Sequence, residues 1–280
     1  MEEHGHATAS RSIDTGSGEL LCEIAERVAT ITLNRPQAKN SLSDDLTPAL
    51  RRMIRQCGDD ADVGALLITG AGDAFCAGGN VKGMAVGTPK SEVTLQERIA
   101  ELSRRQRTLT GALVAVRKPT LAALPGPAAG AGMALALACD IRIAGESAIM
   151  TTGYARIGLS GDYGIAWLLT RLVGTSRARE LMFLSERIDA RRCEMLGLIN
   201  RVVPDSELRS AAFALARTLA EGPSIAFGYM KDNLDHAITS DLPASLDQEA
   251  DRMVRAARTS DHRDAVAPFV AKRKPVFLGR

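Results

Sequence analysis

Along the first two-thirds of the chain, apolar positions follow two alternating periods. Val28 to Leu33 (VATITL) is β-branched, preceded by charge and closed by Asn34-Arg35-Pro36, which predicts a strand. Ser43 then precedes a segment whose apolar positions Leu46, Leu50, Met53 and Ile54 fall on one helical face. Ala65 to Thr69 (ALLIT) is apolar throughout and stops at Gly70, as expected of a strand covered on both sides. Thr120 to Leu124 and Ile141 to Ala144 are further short strands. Strand and helix signals alternate, so the pattern predicts an α/β fold.

From about Asp205 the character changes. SELRSAAFALARTLAEG is an amphipathic helix with a Ser/Asp start and a Gly222-Pro223 stop. Two more helical patterns follow, within Ile225 to Ala237 and Leu246 to Thr259, and a basic segment runs from Asp261 to Gly279. The expected organisation is a disordered tail over 1–18, a core over 19–204 and a C-terminal helical region over 205–280. The tail, MEEHGHATASRSIDTGSG, holds Glu2, Glu3 and a single early Arg11, so it reads neither as a secretory signal nor as an arginine-rich transit peptide.

Composition narrows the partners. Hydrophobic residues make up 45% and charged residues 24%, ordinary for a soluble globular chain of 280 residues. A net charge of +2, with no dense Lys/Arg helix face, argues against nucleic acid. No apolar run approaches the length of a membrane span. Cys22, Cys57, Cys76, Cys139 and Cys193 are odd in number and form no CxxC pair, which fits reduced thiols and a cytoplasmic location. The histidines, His4, His6, His236 and His262, are not placed to bind a metal or to act as a triad base. No GxxxxGK[ST] or GxGxxG follows a strand, so a nucleotide cofactor is not expected.

Chemistry enters at two glycine-rich turns. GAGDAFCAGGN, Gly70 to Asn80, follows a buried-type strand, and its Gly78-Gly79 pair can present an N–H with no side chain in the way. In PGPAAGAGMALALACD, Pro125 to Asp140, three glycines precede Met133 to Ala138, a run suited to a buried helix. A helix start offers unpaired N–H groups and the positive end of its dipole. Two such N–H groups converging on one oxygen would stabilise an enolate or tetrahedral oxyanion.

These turns, together with LNRPQAKNSLS, KPTLAALPGPAAGAGMALALACDIRIAGESA, RIGLSGDYGIAWLLTRLVG and the terminal FVAKRKPVFLG, resemble the crotonase (enoyl-CoA hydratase/isomerase) superfamily over Leu20 to Gly279. The resemblance implies a spiral of ββα units and a C-terminal helical region that builds trimers, often a hexamer. It also implies acyl-CoA thioester substrates, coenzyme A being the carrier moiety and no other cofactor being needed. Carried across, the oxyanion donors are the N–H groups of Gly79 and Ala131, with alanine standing where the family usually has glycine. Lys39, Asn40, Ser41, Leu42 and Ala77 match the segments that wrap the CoA adenine and pantetheine. Met84, Tyr154 and Trp167 are candidates for the acyl pocket, packing being the alternative for each.

The family's hydratases use two glutamates. Their positions here are Ala134, three residues past the second oxyanion donor, and Tyr154, twenty residues further. A carboxylate does stand at Asp162. That position matches the single aspartate of the 1,2-epoxyphenylacetyl-CoA isomerases, one aspartate of the dienoyl-CoA isomerases and the nucleophile of 4-chlorobenzoyl-CoA dehalogenase. The flanking IGL, Trp167 and LLTRLVG are most similar to the first, although Ser160-Gly161 and Tyr163 depart from it. A purely structural role for Asp162 would be to cap the helix that follows. A lone carboxylate suits a 1,3-proton shift, so the expectation is an isomerase-type enzyme using Asp162. Hydration of a 2-enoyl-CoA, dehalogenation and non-catalytic acyl-CoA binding remain as alternatives. Acyl-chain choice depends on Val81 to Arg98, which has little pattern.

Overall fold

The computed structural model describes residues 10–79 and 93–280. Met84 and most of the Val81–Arg98 stretch lie outside them. The main sheet has seven strands in the order β1-β2-β3-β4-β5-β7-β10. β1 (Arg11–Ile13), β2 (Leu20–Ala25) and β3 (Val28–Leu33) form an antiparallel meander. From β3 onward, β4 (Ala65–Gly70), β5 (Thr120–Leu124), β7 (Ile141–Gly145) and β10 (Arg201–Val203) pair in parallel. A second, three-stranded sheet joins β6 (Ala128–Ala129), β8 (Ile149–Thr151) and β9 (Ile188–Asp189). This is an α/β arrangement, followed by a helical C-terminal region.

The helices are α1 (Leu46–Asp59), α2 (Leu95–Gln106), α3 (Ala112–Ala115), α4 (Ala131–Leu137), α5 (Ile165–Leu184, broken at Gly174) and α6 (Ala190–Met195). They are followed by α7 (Leu208–Ala220), α8 (Ser224–Ala237), α9 (Leu242–Ala257) and α10 (Ser260–Val270). Each parallel strand feeds both faces of the sheet. Leu66 and Ile68 of β4 enter the large core with α1 and α4, while Ala65 and Leu67 enter a smaller core under α7. That two-sided burial is why ALLIT carries no polar alternation.

Two boundaries differ from those expected. Residues 11–18 are not a disordered tail: Ile13 pairs with Cys22 across the β1–β2 ladder, and Thr15 is buried with its Oγ1 2.7 Å from the Leu20 carbonyl oxygen. Backbone pairing holds this segment, and composition carries no signal for it. In addition, α7 belongs with the core. Its Ala212, Ala216 and Ala220 recur every fourth residue and lie flat on the sheet, so the outer helical region begins at Ser224.

The chain end folds back. Asp261, buried at the start of α10, accepts the N–H groups of Leu278 at 2.7 Å and Gly279 at 2.8 Å. Its own N–H donates to the Arg280 carbonyl at 2.9 Å. No helix of the described residues is long and apolar enough to cross a membrane.

Candidate active site

Three segments stack at the carboxyl ends of the parallel strands. The loop after β3 meets the turn after β4, where Ala77 N–H donates to the Lys39 carbonyl at 2.9 Å and Leu42 N–H to the Gly78 carbonyl at 2.8 Å. That turn in turn meets the one before α4, where Ala129 N–H donates to the Cys76 carbonyl at 2.9 Å. The glycines set the spacing. Gly78 has φ +88°, and a Cβ there would lie 2.6 Å from the Ala129 carbonyl oxygen and 3.5 Å from the Ala131 nitrogen. A Cβ on Gly132 would lie 2.1 Å from the Cys76 carbonyl oxygen. Both positions therefore require a residue without a side chain, the first also for its left-handed backbone. Ala131 opens α4, so its N–H has no intrahelical acceptor. Among the described residues, neither it nor the Gly79 N–H has a hydrogen-bond partner. Backbone donors at a helix start of this kind suit an anion.

Asp162 lies in a contorted turn, where Gly161, Tyr163 and Gly164 all have positive φ. It does not cap α5. The N-cap position is Gly164, with no side-chain cap, and Asp162 offers the helix only its backbone carbonyl, to Ile165 N–H at 3.2 Å. Its carboxylate instead accepts the Tyr154 hydroxyl at 2.6 Å. Tyr154 is buried at 7% exposure, with its hydroxyl oxygen 3.7 Å from where a Cβ on Gly130 would stand. It therefore bridges the start of α4 to Asp162. Burial raises the Asp162 pKa above the ordinary carboxylate value, and the Tyr154 hydrogen bond partly opposes this. Burial, then the Asp162 charge, push the Tyr154 phenol well above its usual value, so it remains a neutral donor. Ala134 is fully buried in α4 and supplies no carboxylate.

The CoA-segment residues divide. Lys39 is exposed and Ala77 half-buried. Asn40 is wholly buried: its Nδ2 donates to the carbonyls of Ala71 at 2.9 Å and Ala74 at 2.8 Å, and its Oδ1 accepts Arg35 N–H at 2.8 Å. Its carboxamide is a strut between two loops, leaving only backbone for a ligand. Leu42 is buried and bonded to Gly78, and Ser41 accepts Arg35 Nη1 through its carbonyl at 2.6 Å. Asn40→Ala is therefore expected to destabilise the fold by about 3 kcal/mol through groups left unpaired. That corresponds to a fall of roughly 6–12 °C in melting temperature, checked by calorimetry. An unchanged melting point would contradict the strut role.

Trp167 does not pack in the core. It is 45% exposed on α5, with the Arg171 guanidinium 3.8 Å over its ring. An open groove of about 980 Å³ lies elsewhere, between the outer face of the main sheet and α7. Among the described residues no cluster of three or more His, Cys, Asp or Glu could hold a metal. Sequence reasoning missed the Tyr154–Asp162 contact and the Asn40 strut. Glycines at 153, 158, 161 and 164 signal a contorted turn, but nothing in the sequence says which side chains it joins.

The family model described as enoyl-CoA hydratase/isomerase matches residues 23–280. The 1,2-epoxyphenylacetyl-CoA isomerase of Escherichia coli is 36% identical over 93% of this chain and 98% of its own. The short-chain-enoyl-CoA hydratase of Clostridium acetobutylicum is 30% identical over 91% and 95%. A solved enoyl-CoA hydratase from Bacillus anthracis superposes with a TM-score of 0.86, at 31% identity, covering 94% of this chain and 100% of that one. The chain belongs to the enoyl-CoA hydratase/isomerase family, the crotonase superfamily.

Proposed function

We propose that the chain is an acyl-CoA isomerase of this family, carrying out a 1,3-proton shift with Asp162 as its acid–base group. The observation that carries the reading is one carboxylate, Asp162, tied through the Tyr154 hydroxyl to the start of α4, with Ala134 and Tyr154 where a hydratase pair would stand. The thioester oxygen accepts the N–H groups of Gly79 and Ala131. Asp162 takes a proton from the α-carbon, the C–H electron pair passes into the thioester as an enolate, and the proton returns at the γ-carbon. A carboxylate with a raised pKa is a stronger base for this step. The chemistry consumes no electrons and needs no metal or redox cofactor; coenzyme A arrives with the substrate. Support comes also from the similarity to the Escherichia coli isomerase. Hydration is the second reading, supported by the similarity to the Clostridium hydratase.

The first test is calorimetry with acetoacetyl-CoA, an enolate mimic. Binding is expected, and no heat at millimolar ligand would contradict the acyl-CoA reading. We further propose a trimer or a dimer of trimers. Apolar side chains stand exposed on the outer helices, among them Leu234 of α8, Met253 of α9 and Phe269 of α10, the last at 78%. Exposed apolar side chains on successive helices suit burial against a neighbouring copy. Light scattering should report three or six copies, and a monomer at micromolar concentration would overturn the proposal. A cytoplasmic location is supported by five cysteines that are all free and buried.

A further inference from the structure

We propose that Tyr154 is a positioning residue for this reaction: its hydroxyl holds Oδ1 of Asp162 and leaves Oδ2 as the oxygen presented to the acyl chain. The inference rests on the reading of Asp162 as the base. Tyr154 itself is no base, because its phenol stays protonated throughout the working pH range.

The geometry makes the contact specific. Asp162 follows Gly161 at φ +108° and precedes Tyr163 at φ +52°, so the backbone directs its side chain away from the helix it introduces. Tyr154 comes from the short 3-10 turn Tyr154–Ile157, anchored by the buried Thr152–Ser185 pair, whose hydroxyls lie 3.0 Å apart. The 2.6 Å bond thus joins two rigid turns, one touching the first turn of α4. A free carboxylate can rotate about its Cβ–Cγ bond and present either oxygen. With Oδ1 held, one oxygen both collects and returns the proton, so the transfer stays on one face of the enolate. The bond also favours the ionised carboxylate, offsetting part of what burial does. The other groups facing this pair are Tyr163, itself buried, and Arg51 and Arg105, which reach Tyr163 from α1 and α2. Neither arginine changes charge in the working range.

The test is the pH–rate profile of Tyr154→Phe on the best enoyl-CoA substrate, beside Asp162→Asn. The Phe variant is expected to keep KM and to lose about tenfold in kcat. Its acid limb should move to higher pH, because the bond that favours the ionised carboxylate is gone. A variant with 3-fluorotyrosine at 154 retains ring and hydroxyl but donates more strongly, and should move the limb the opposite way. A purely space-filling Tyr154 would alter melting temperature without moving either limb. Unmoved limbs in both variants, with Asp162→Asn inactive, would overturn the positioning role and leave the proposed base intact. An active Asp162→Asn would instead remove the base itself. Should Tyr154→Phe fail to fold, the fluorotyrosine limb alone decides.

Discussion

Asp162→Asn is expected to lower kcat by about 10²–10⁴-fold, the usual cost of removing a general base. Acetoacetyl-CoA binding should persist, since the Gly79 and Ala131 N–H groups are backbone. Stability separates this from a capping role. A lost cap would cost about 1 kcal/mol, but Asp162 caps nothing, and asparagine can still accept the Tyr154 hydroxyl. The sign follows from burial. The folded-state pKa is raised above the usual 3.8, so the group's stabilising contribution is present below that value and is lost as pH rises through the folded pKa. The ionised side chain therefore works against the fold relative to the protonated one. The Asn variant should melt at the wild-type temperature or above it at pH 7, with the gap closing as the pH falls below the ordinary carboxylate range. Full turnover with a lowered melting point would refute the catalytic role.

Gly132→Ala should damage both stability and turnover. The new methyl carbon would lie 2.1 Å from the Cys76 carbonyl oxygen, and that atom is backbone held by Ala129 N–H. Overpacking of this kind costs roughly 1–3 kcal/mol in stability. The two turns must separate to admit the methyl group, which moves the Gly79 and Ala131 N–H groups out of the arrangement proposed for them. Loss of one such donor typically lowers kcat about 10²–10³-fold. Gly18→Ala is the control, because a Cβ there meets nothing within 4 Å and its φ is ordinary. Steady-state kinetics and melting curves of the two variants check this, and wild-type behaviour of Gly132→Ala would show that the turns do not set the site.

Strands and helices built on apolar side chains were legible in the sequence. VATITL and ALLIT became β3 and β4 because burial on a sheet face needs those residues. β1, β6 and β9 were not, since two- or three-residue strands are held by backbone bonds that side-chain patterns do not record. The amphipathic reading of SELRSAAFALARTLAEG gave the right helix but the wrong allegiance. Its alanine stripe marks close packing on the sheet, and the periodicity alone does not say which partner it meets. The site shows the same division. Glycines at 78 and 132 signalled closely packed turns because their need is local, whereas the strut role of the Asn40 side chain has no such local signal. Its three partners lie at positions 35, 71 and 74, and only the fold brings them together. The Tyr154–Asp162 bond likewise depends on positive φ at Gly161 and Tyr163, a conformation that sequence leaves open at a tyrosine.

The most direct measurement is an NMR time course of the wild-type protein with a 3-enoyl-CoA. The vinyl signals are expected to move to a double bond conjugated with the thioester, with no signal from a hydroxylated carbon, and Asp162→Asn is expected to abolish the change. Accumulation of a 3-hydroxyacyl-CoA as the main product, or conversion that survives Asp162→Asn, would contradict the proposed mechanism.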